Sequence, residues 1–160
     1  MVNVNIICIG KLKEDYLRSA CAEYQKRLGA FCRLNVIELT PARLPENPND
    51  SQIAAALADE AERILAKISN SDAVFAMCIE GKMLSSEALS AEIDKLGVSG
   101  FGTISFIIGG SHGLDEKVKS RAKYRLSMSP MTFPHQLARV MLLEQIYRSF
   151  MISSGGKYHK

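Results

Sequence analysis

Several things are missing from this sequence, and each absence removes a class of function. No apolar run approaches the about 18 residues a membrane-crossing helix needs, so no membrane association is expected. The opening, Met1 to Gly10, has no basic leader and enters directly on a strand pattern, so no secretory signal is expected and the cytoplasm is the expected compartment. Cys8, Cys21, Cys32 and Cys78 form no CxxC pair, and no histidine stands near them at zinc-site spacing. No metal site is expected, and the thiols read as small, reduced core residues. No P-loop occurs, and Gly10-Lys11-Leu12 breaks the glycine spacing of a dinucleotide fold after the first strand. Repeats, low-complexity tracts and linkers are also missing, so residues 1–160 are expected to form a single domain.

Acid is the scarcest commodity of the C-terminal part. From Lys117 to Lys160 there are 9 Lys/Arg against one acid, Glu144, a balance of +8, while Met1 to Glu116 carries 11 against 16, a balance of −5. A basic segment of this kind suits a polyanion, because Lys and Arg displace the counterions condensed along phosphates. A hydrophobic share of 47% is that of an ordinary globule.

Periodicity predicts strands at Val2–Gly10, Cys32–Leu39, Ala73–Ile79, Thr103–Ile108 and Tyr124–Ser129. It predicts helices at Lys11–Leu28, Ser51–Ile68, Ser85–Leu96, Leu114–Ala122 and Gln136–Ile152. Pro41, Pro45 and Pro48 mark Thr40–Asp50 as a loop. Alternating strands and helices give the α/β class with a mostly parallel sheet. The run Ala73–Ile79 is apolar at every position, as a strand covered on both faces must be. The last helix is apolar over more than one face, so a second buried side is expected, with a dimer interface as its natural place.

Three segments carry chemistry. Gly109-Gly110-Ser111-His112-Gly113 follows an apolar strand, where glycines let the backbone approach a ligand closely. It also fits the G-x-S-x-G elbow of serine hydrolases, with Glu144 and His159 following Ser111 in the order acid then histidine. Against a hydrolase, no second glycine-rich segment offers an oxyanion donor, and His159 lies in a terminal tail. Ser129-Pro130-Met131-Thr132-Phe133-Pro134-His135 is a loop stiffened by two prolines, suited to presenting backbone groups to a flat heterocycle. The ending combines Tyr147-Arg148 with Tyr158-His159-Lys160, an aromatic, an imidazole and cations fit to meet an RNA nucleotide.

In this order and spacing the segments resemble the ribosomal large subunit methyltransferase H family of the SPOUT superfamily. The likeness rests on Phe106–Leu114, Leu126–Val140, Glu144–Arg148 and Tyr158–Lys160, with Ile9–Lys13 and Glu80–Lys82 in support, and it spans essentially the whole chain. The resemblance implies an α/β knot, a parallel sheet whose C-terminal segment threads into a deep trefoil. It implies a homodimer with active sites built from both subunits. It further implies methyl transfer from S-adenosyl-L-methionine to N3 of a pseudouridine in 23S rRNA of the assembled ribosome. Carried over by motif, Met77, Gly109, Gly110, Ser129, Pro130, Met131, Thr132, Phe133 and Pro134 are expected to contact the cofactor, with methionine at 77 where the family has leucine. His159 is expected to take the imide proton, with Arg148 and Tyr158 positioning the base and His135 holding the cofactor loop. A non-catalytic ribosome-binding protein is the remaining alternative, and it would lack a saturable cofactor site.

Overall fold

The computed structural model describes residues 1–160. Its strands are β1 (Asn3–Ile9), β2 (Arg33–Leu39), β3 (Ala73–Met83), β4 (Thr103–Ile108) and β5 (Tyr124–Ser127). Its helices are α1 (Asp15–Leu28), α2 (Asp50–Leu65), α3 (Ser86–Val98), α4 (Glu116–Arg121) and α5 (His135–Ser153). The strands form one parallel sheet in the order β2-β1-β4-β3-β5.

The order of the strands decides where the helices lie. A right-twisted strand feeding a crossover returns to the sheet only with right-handed sense. Steps toward the β2 edge (β1 to β2, β3 to β4) therefore place α1 and α3 on one face. Steps toward the β5 edge (β2 to β3, β4 to β5) place α2 and α4 on the other. Two apolar clusters follow. Cys21, Leu28, Leu89, Ile93 and Leu96 pack with Val4, Ile6, Phe75 and Phe106, while Ala61, Ile64 and Val118 pack with Ile7, Ile9, Val74 and Ile107. Neighbouring strand residues feed opposite clusters, which is why the inner strands read as unbroken apolar runs.

α5 lies on the α1/α3 face and buries Leu142, Leu143 and Ile146 there, each worth roughly 2–3 kcal/mol against exposure. Leu137 remains 40% exposed, and Met141, Tyr147 and Phe150 are only half-buried. The apolar excess of this helix is thus only partly absorbed by its own chain.

Most boundaries fall within a residue or two of expectation; α2 stops at Leu65 rather than Ile68, and three other differences have physical reasons. Helix α1 begins at Asp15 rather than Lys11, because the Lys13 amide donates to the Gln136 side chain at 2.8 Å and holds residues 11–13 outside the helix. β3 continues to Met83 rather than stopping at Ile79. Its pairing with β5 jumps between Met77 and Lys82, both opposite Leu126, so residues 78–81 bulge outward. Gly81 permits this: a Cβ there would stand 2.7 Å from the Arg125 carbonyl group. Helix α3 runs through Gly97 and is ended by Gly100, whose φ of 89° is open to glycine.

Candidate active site

All five strands point their carboxyl ends the same way, and chain order reverses between β1 and β4, the position where open α/β sheets bind ligands. A cavity of about 830 Å³ opens beside that point, over the carboxyl-side parts of β4, β3 and β5. Its walls are the end of β3 (Met77–Glu80), the glycine turn after β4 (Gly109–Gly113), and the segment from the end of β5 to the start of α5 (Ser127–His135). The turn folds tightly. Gly113 N–H donates to the Gly110 carbonyl at 3.1 Å, and Gly113 has a φ of 81°. A Cβ on Gly109 would lie 2.4 Å from the Gly113 carbonyl oxygen, so no side chain fits at this position without moving backbone. Gly110 has a different constraint, since its Cβ would press on Ile9 Cγ2 at 3.3 Å.

The opposite wall is stiffened from within. Ser127 Oγ donates to the Ser129 carbonyl at 3.0 Å, and Ser129 Oγ accepts from Met131 N–H at 3.0 Å. His135 begins α5 behind this loop, and burial, then the charges of Arg139 and Lys13, hold its pKa below the ordinary histidine value. One turn later Arg139, almost wholly buried, donates to Glu38 Oε2 at 2.7 Å and to the Gly10 carbonyl at 3.0 Å. This fork ties α5 to the ends of β1 and β2 and so fixes the cavity's far wall.

Eight of the nine residues expected at the cofactor line this cavity: Met77, Gly109, Gly110, Ser129, Met131, Thr132, Phe133 and Pro134. Pro130 does not, and sits outside the wall in the bend of the loop. Sequence reasoning missed the β3 bulge, which adds Cys78, Ile79 and Glu80, and missed Lys119 of α4, whose ammonium pairs with Glu80 at the wall. The Glu80-Gly81-Lys82 run was the available signal, because a glycine forced by close backbone approach marks the bulge.

His159, Arg148 and Tyr158 do come together, but elsewhere. The tail turns back through Gly155 (φ 71°) and lies against α5 and the start of α3. His159 Nδ1 lies 3.1 Å from Arg148 Nη1, and His159 Nε2 lies 2.6 Å from Glu87 Oε1. Tyr158 OH donates to Glu144 Oε1 at 3.1 Å, and the Arg148 guanidinium sits 4.8 Å from the Tyr158 ring centroid. Burial, with hydrogen bonds to Tyr24 and Glu144, pushes the Tyr158 phenol up to about 12. Arg148 is ten residues along α5 from Ala138, the last residue on the cavity wall, about 15 Å at about 1.5 Å per residue.

This arrangement disassembles the hydrolase reading. Ser111 is at the cavity, whereas Glu144 bonds Arg148, Tyr158 and Gln145, and His159 bonds Glu87 and Arg148. The basic C-terminal segment also looks different in space. Lys119, Arg125, Arg139 and Arg148 pair with Glu80, Glu116, Glu38 and Glu144, and Arg121 donates to the Ser69 and Asp72 carbonyls. Five of its nine cations are thus engaged inside the fold. The described residues contain no cluster of His, Cys, Asp and Glu able to hold a metal, and no helix is long and apolar enough to cross a membrane.

Comparison with known proteins agrees with this layout. A chain titled a probable methylase family protein from Haemophilus influenzae superposes with a TM-score of 0.54 at 15% identity, over 98% of this chain and 70% of that one, a likeness of fold. Among curated proteins, Ribosomal RNA large subunit methyltransferase H of Clostridium acetobutylicum is 51% identical over 99% of this chain and 100% of its own length. The protein of the same name from Streptococcus equi subsp. zooepidemicus is 46% identical over the same shares. The family described as Predicted SPOUT methyltransferase matches residues 2–159. The chain therefore belongs to the SPOUT methyltransferases, among the relatives named ribosomal RNA large subunit methyltransferase H.

Proposed function

We propose that this protein methylates N3 of a pseudouridine in large-subunit 23S ribosomal RNA on the assembled ribosome, using S-adenosylmethionine and acting as a homodimer in the cytoplasm. The observation that carries the reading is the meeting of the glycine turn 109–113 with the loop 129–134 in one cavity at the strand ends. The cavity fits the cofactor. Its volume lies within the about 300–1,000 Å³ of small-molecule sites, and its glycine turn presents bare backbone at the wall, with Gly109 held side-chain-free by the Gly113 carbonyl. Met77, Gly109, Gly110 and the loop Ser129–Pro134 would hold it, with Pro130 acting on the loop's shape rather than by contact. When bound, the cofactor supplies an electrophilic methyl group on a sulfonium that leaves as a neutral thioether.

The protein's own share is alignment, exclusion of water and management of one proton. The imide N3–H must lose its proton, and His159 is the group we assign to take it, with Arg148 and Tyr158 holding the base. A reacting pair must approach to about 3–3.5 Å, whereas Arg148 stands about 15 Å along α5 from the cavity wall. That separation supports a site completed across a dimer, one subunit giving the cavity and the other the tail. The half-buried apolar residues left on α5 support the same arrangement. The passage of the chain from β5 at the sheet edge to His135, whose Nε2 stands 3.8 Å from a Cβ built on Gly10, supports the threaded C-terminus of the knot.

Two experiments test the reading. Ribosomal RNA from cells lacking the protein should miss one methylpseudouridine by mass spectrometry, and calorimetry should detect saturable binding of S-adenosylmethionine. Full modification without the protein, or no cofactor binding, ends the proposal. For the dimer, Gly109→Leu forces open the turn on the cavity wall and His159→Ala removes the base. Each variant homodimer should be inactive, while a randomly mixed population should recover about a quarter of the wild-type rate, since half its dimers are mixed and each holds one intact site. No recovery from stable mixed dimers would place both halves of the site in one subunit.

A further inference from the structure

The surroundings of His159 specify its tautomer. Glu87, opposite Nε2 at 2.6 Å, is a carboxylate that can only accept a hydrogen bond, so the ring nitrogen must donate. Arg148, opposite Nδ1 at 3.1 Å, can only donate. Both contacts are satisfied together by one species, the neutral imidazole with its proton on Nε2 and its lone pair on Nδ1. Hydrogen bonding to His159 comes first among the causes that hold the Glu87 carboxyl below the usual carboxylate range, so it is present as the anion.

We infer that Glu87 is a positioning residue for methyl transfer: it fixes His159 in the Nε2–H tautomer so that Nδ1, beside Arg148, meets the imide edge of the target base. The inference rests on the assignment of His159 as proton acceptor. An imide presents N–H and C=O side by side. Nδ1 as acceptor and the Arg148 N–H as donor are likewise adjacent and of complementary sense. On docking of the base, the Arg148 N–H turns from Nδ1 to the carbonyl, and Nδ1 receives the N3 proton. The electron pair of that N–H bond stays on N3, ready to bond to the methyl group. The imidazolium so formed keeps its Nε2–H on the Glu87 anion, which offsets its new charge. Glu144 serves the other partner, accepting from Arg148 Nε at 2.9 Å and from Tyr158 OH.

Glu87 lies at the start of α3 with its side chain largely exposed, so its replacement leaves the core untouched. The test uses the full-length protein, intact ribosomes lacking the modification, and Glu87→Ala beside Glu87→Gln. Glu87→Ala should lower kcat about tenfold or more, with KM for ribosomes and the Kd of S-adenosylmethionine unchanged within about twofold. Glu87→Gln, whose amide oxygen still accepts from Nε2, should recover much of that loss. Nitrogen-15 NMR of labelled histidine should show His159 as the Nε2–H tautomer in the wild type and as a mixture in Glu87→Ala. An unchanged kcat in Glu87→Ala overturns the inference, as does a wild-type ring dominated by Nδ1–H. Wild-type turnover by His159→Ala is a separate result, and removes the proton assignment itself.

Discussion

Replacing Arg139 by methionine tests how the far wall of the cavity is held. The side chain is 3% exposed and donates to Glu38 Oε2 at 2.7 Å and to the Gly10 carbonyl at 3.0 Å. Methionine fills much of the same volume, so the loss is electrostatic and not a cavity. Breaking a buried ion pair by removing one partner costs about 3–5 kcal/mol. The lower end applies, because Glu38 is 34% exposed and regains water, leaving the Gly10 carbonyl as the main orphan. With a urea m value of about 2 kcal/mol/M, about 3 kcal/mol lowers the unfolding midpoint by about 1.5 M at fixed protein concentration. Glu38→Gln should cost less, and the double variant should fall short of the sum by about 1–3 kcal/mol. Arg139→Lys should recover less than half, since one ammonium cannot span both acceptors. A midpoint shift below about 0.3 M for Arg139→Met, or strict additivity in the double variant, would refute the reasoning.

Further predictions concern the cavity. Gly109→Ala puts a methyl 2.4 Å from the Gly113 carbonyl oxygen, so the turn must open, and calorimetry should show S-adenosylmethionine affinity reduced at least about tenfold. His135 has its pKa held down by burial, so on acidification the unfolded chain binds its proton before the native state does. Its effect on stability is therefore absent above about pH 6.5 and grows as a penalty below it, and thermal melts of His135→Gln should lose less stability than wild type on going from neutral to acidic pH. Among the four thiols, burial pushes Cys8 and Cys32 up to about 11, and Cys21 is also buried. Cys78, half-buried on the cavity wall, should be alkylated first, and S-adenosylmethionine should slow that labelling.

The local parts of the fold were legible because local physics fixes them. Asn49 caps α2 and exchanges hydrogen bonds with Gln52, and an apolar stripe carries the helix onward. Ala73–Ala76 is buried on both faces and read as an inner strand. The bulge at 78–81 left only Gly81 as a local trace, since what forces it is the Arg125 backbone lying against that glycine from a strand more than forty residues away. Pro130 was carried over with its neighbours because a motif records adjacency and not the direction in which each side chain points.

Residue types and spacing determined the class of the molecule, the glycine turn and the stiff loop, because these follow from backbone freedom and hydrophobic period within short stretches. Only the tertiary structure decided that the basic C-terminal segment spends five of its cations inside the fold, that the tail lies on Glu87, and that tail and cavity are about 15 Å apart along one helix. Those are distances between elements remote in the chain, and a linear pattern of charge or hydropathy holds no information on which remote groups will meet.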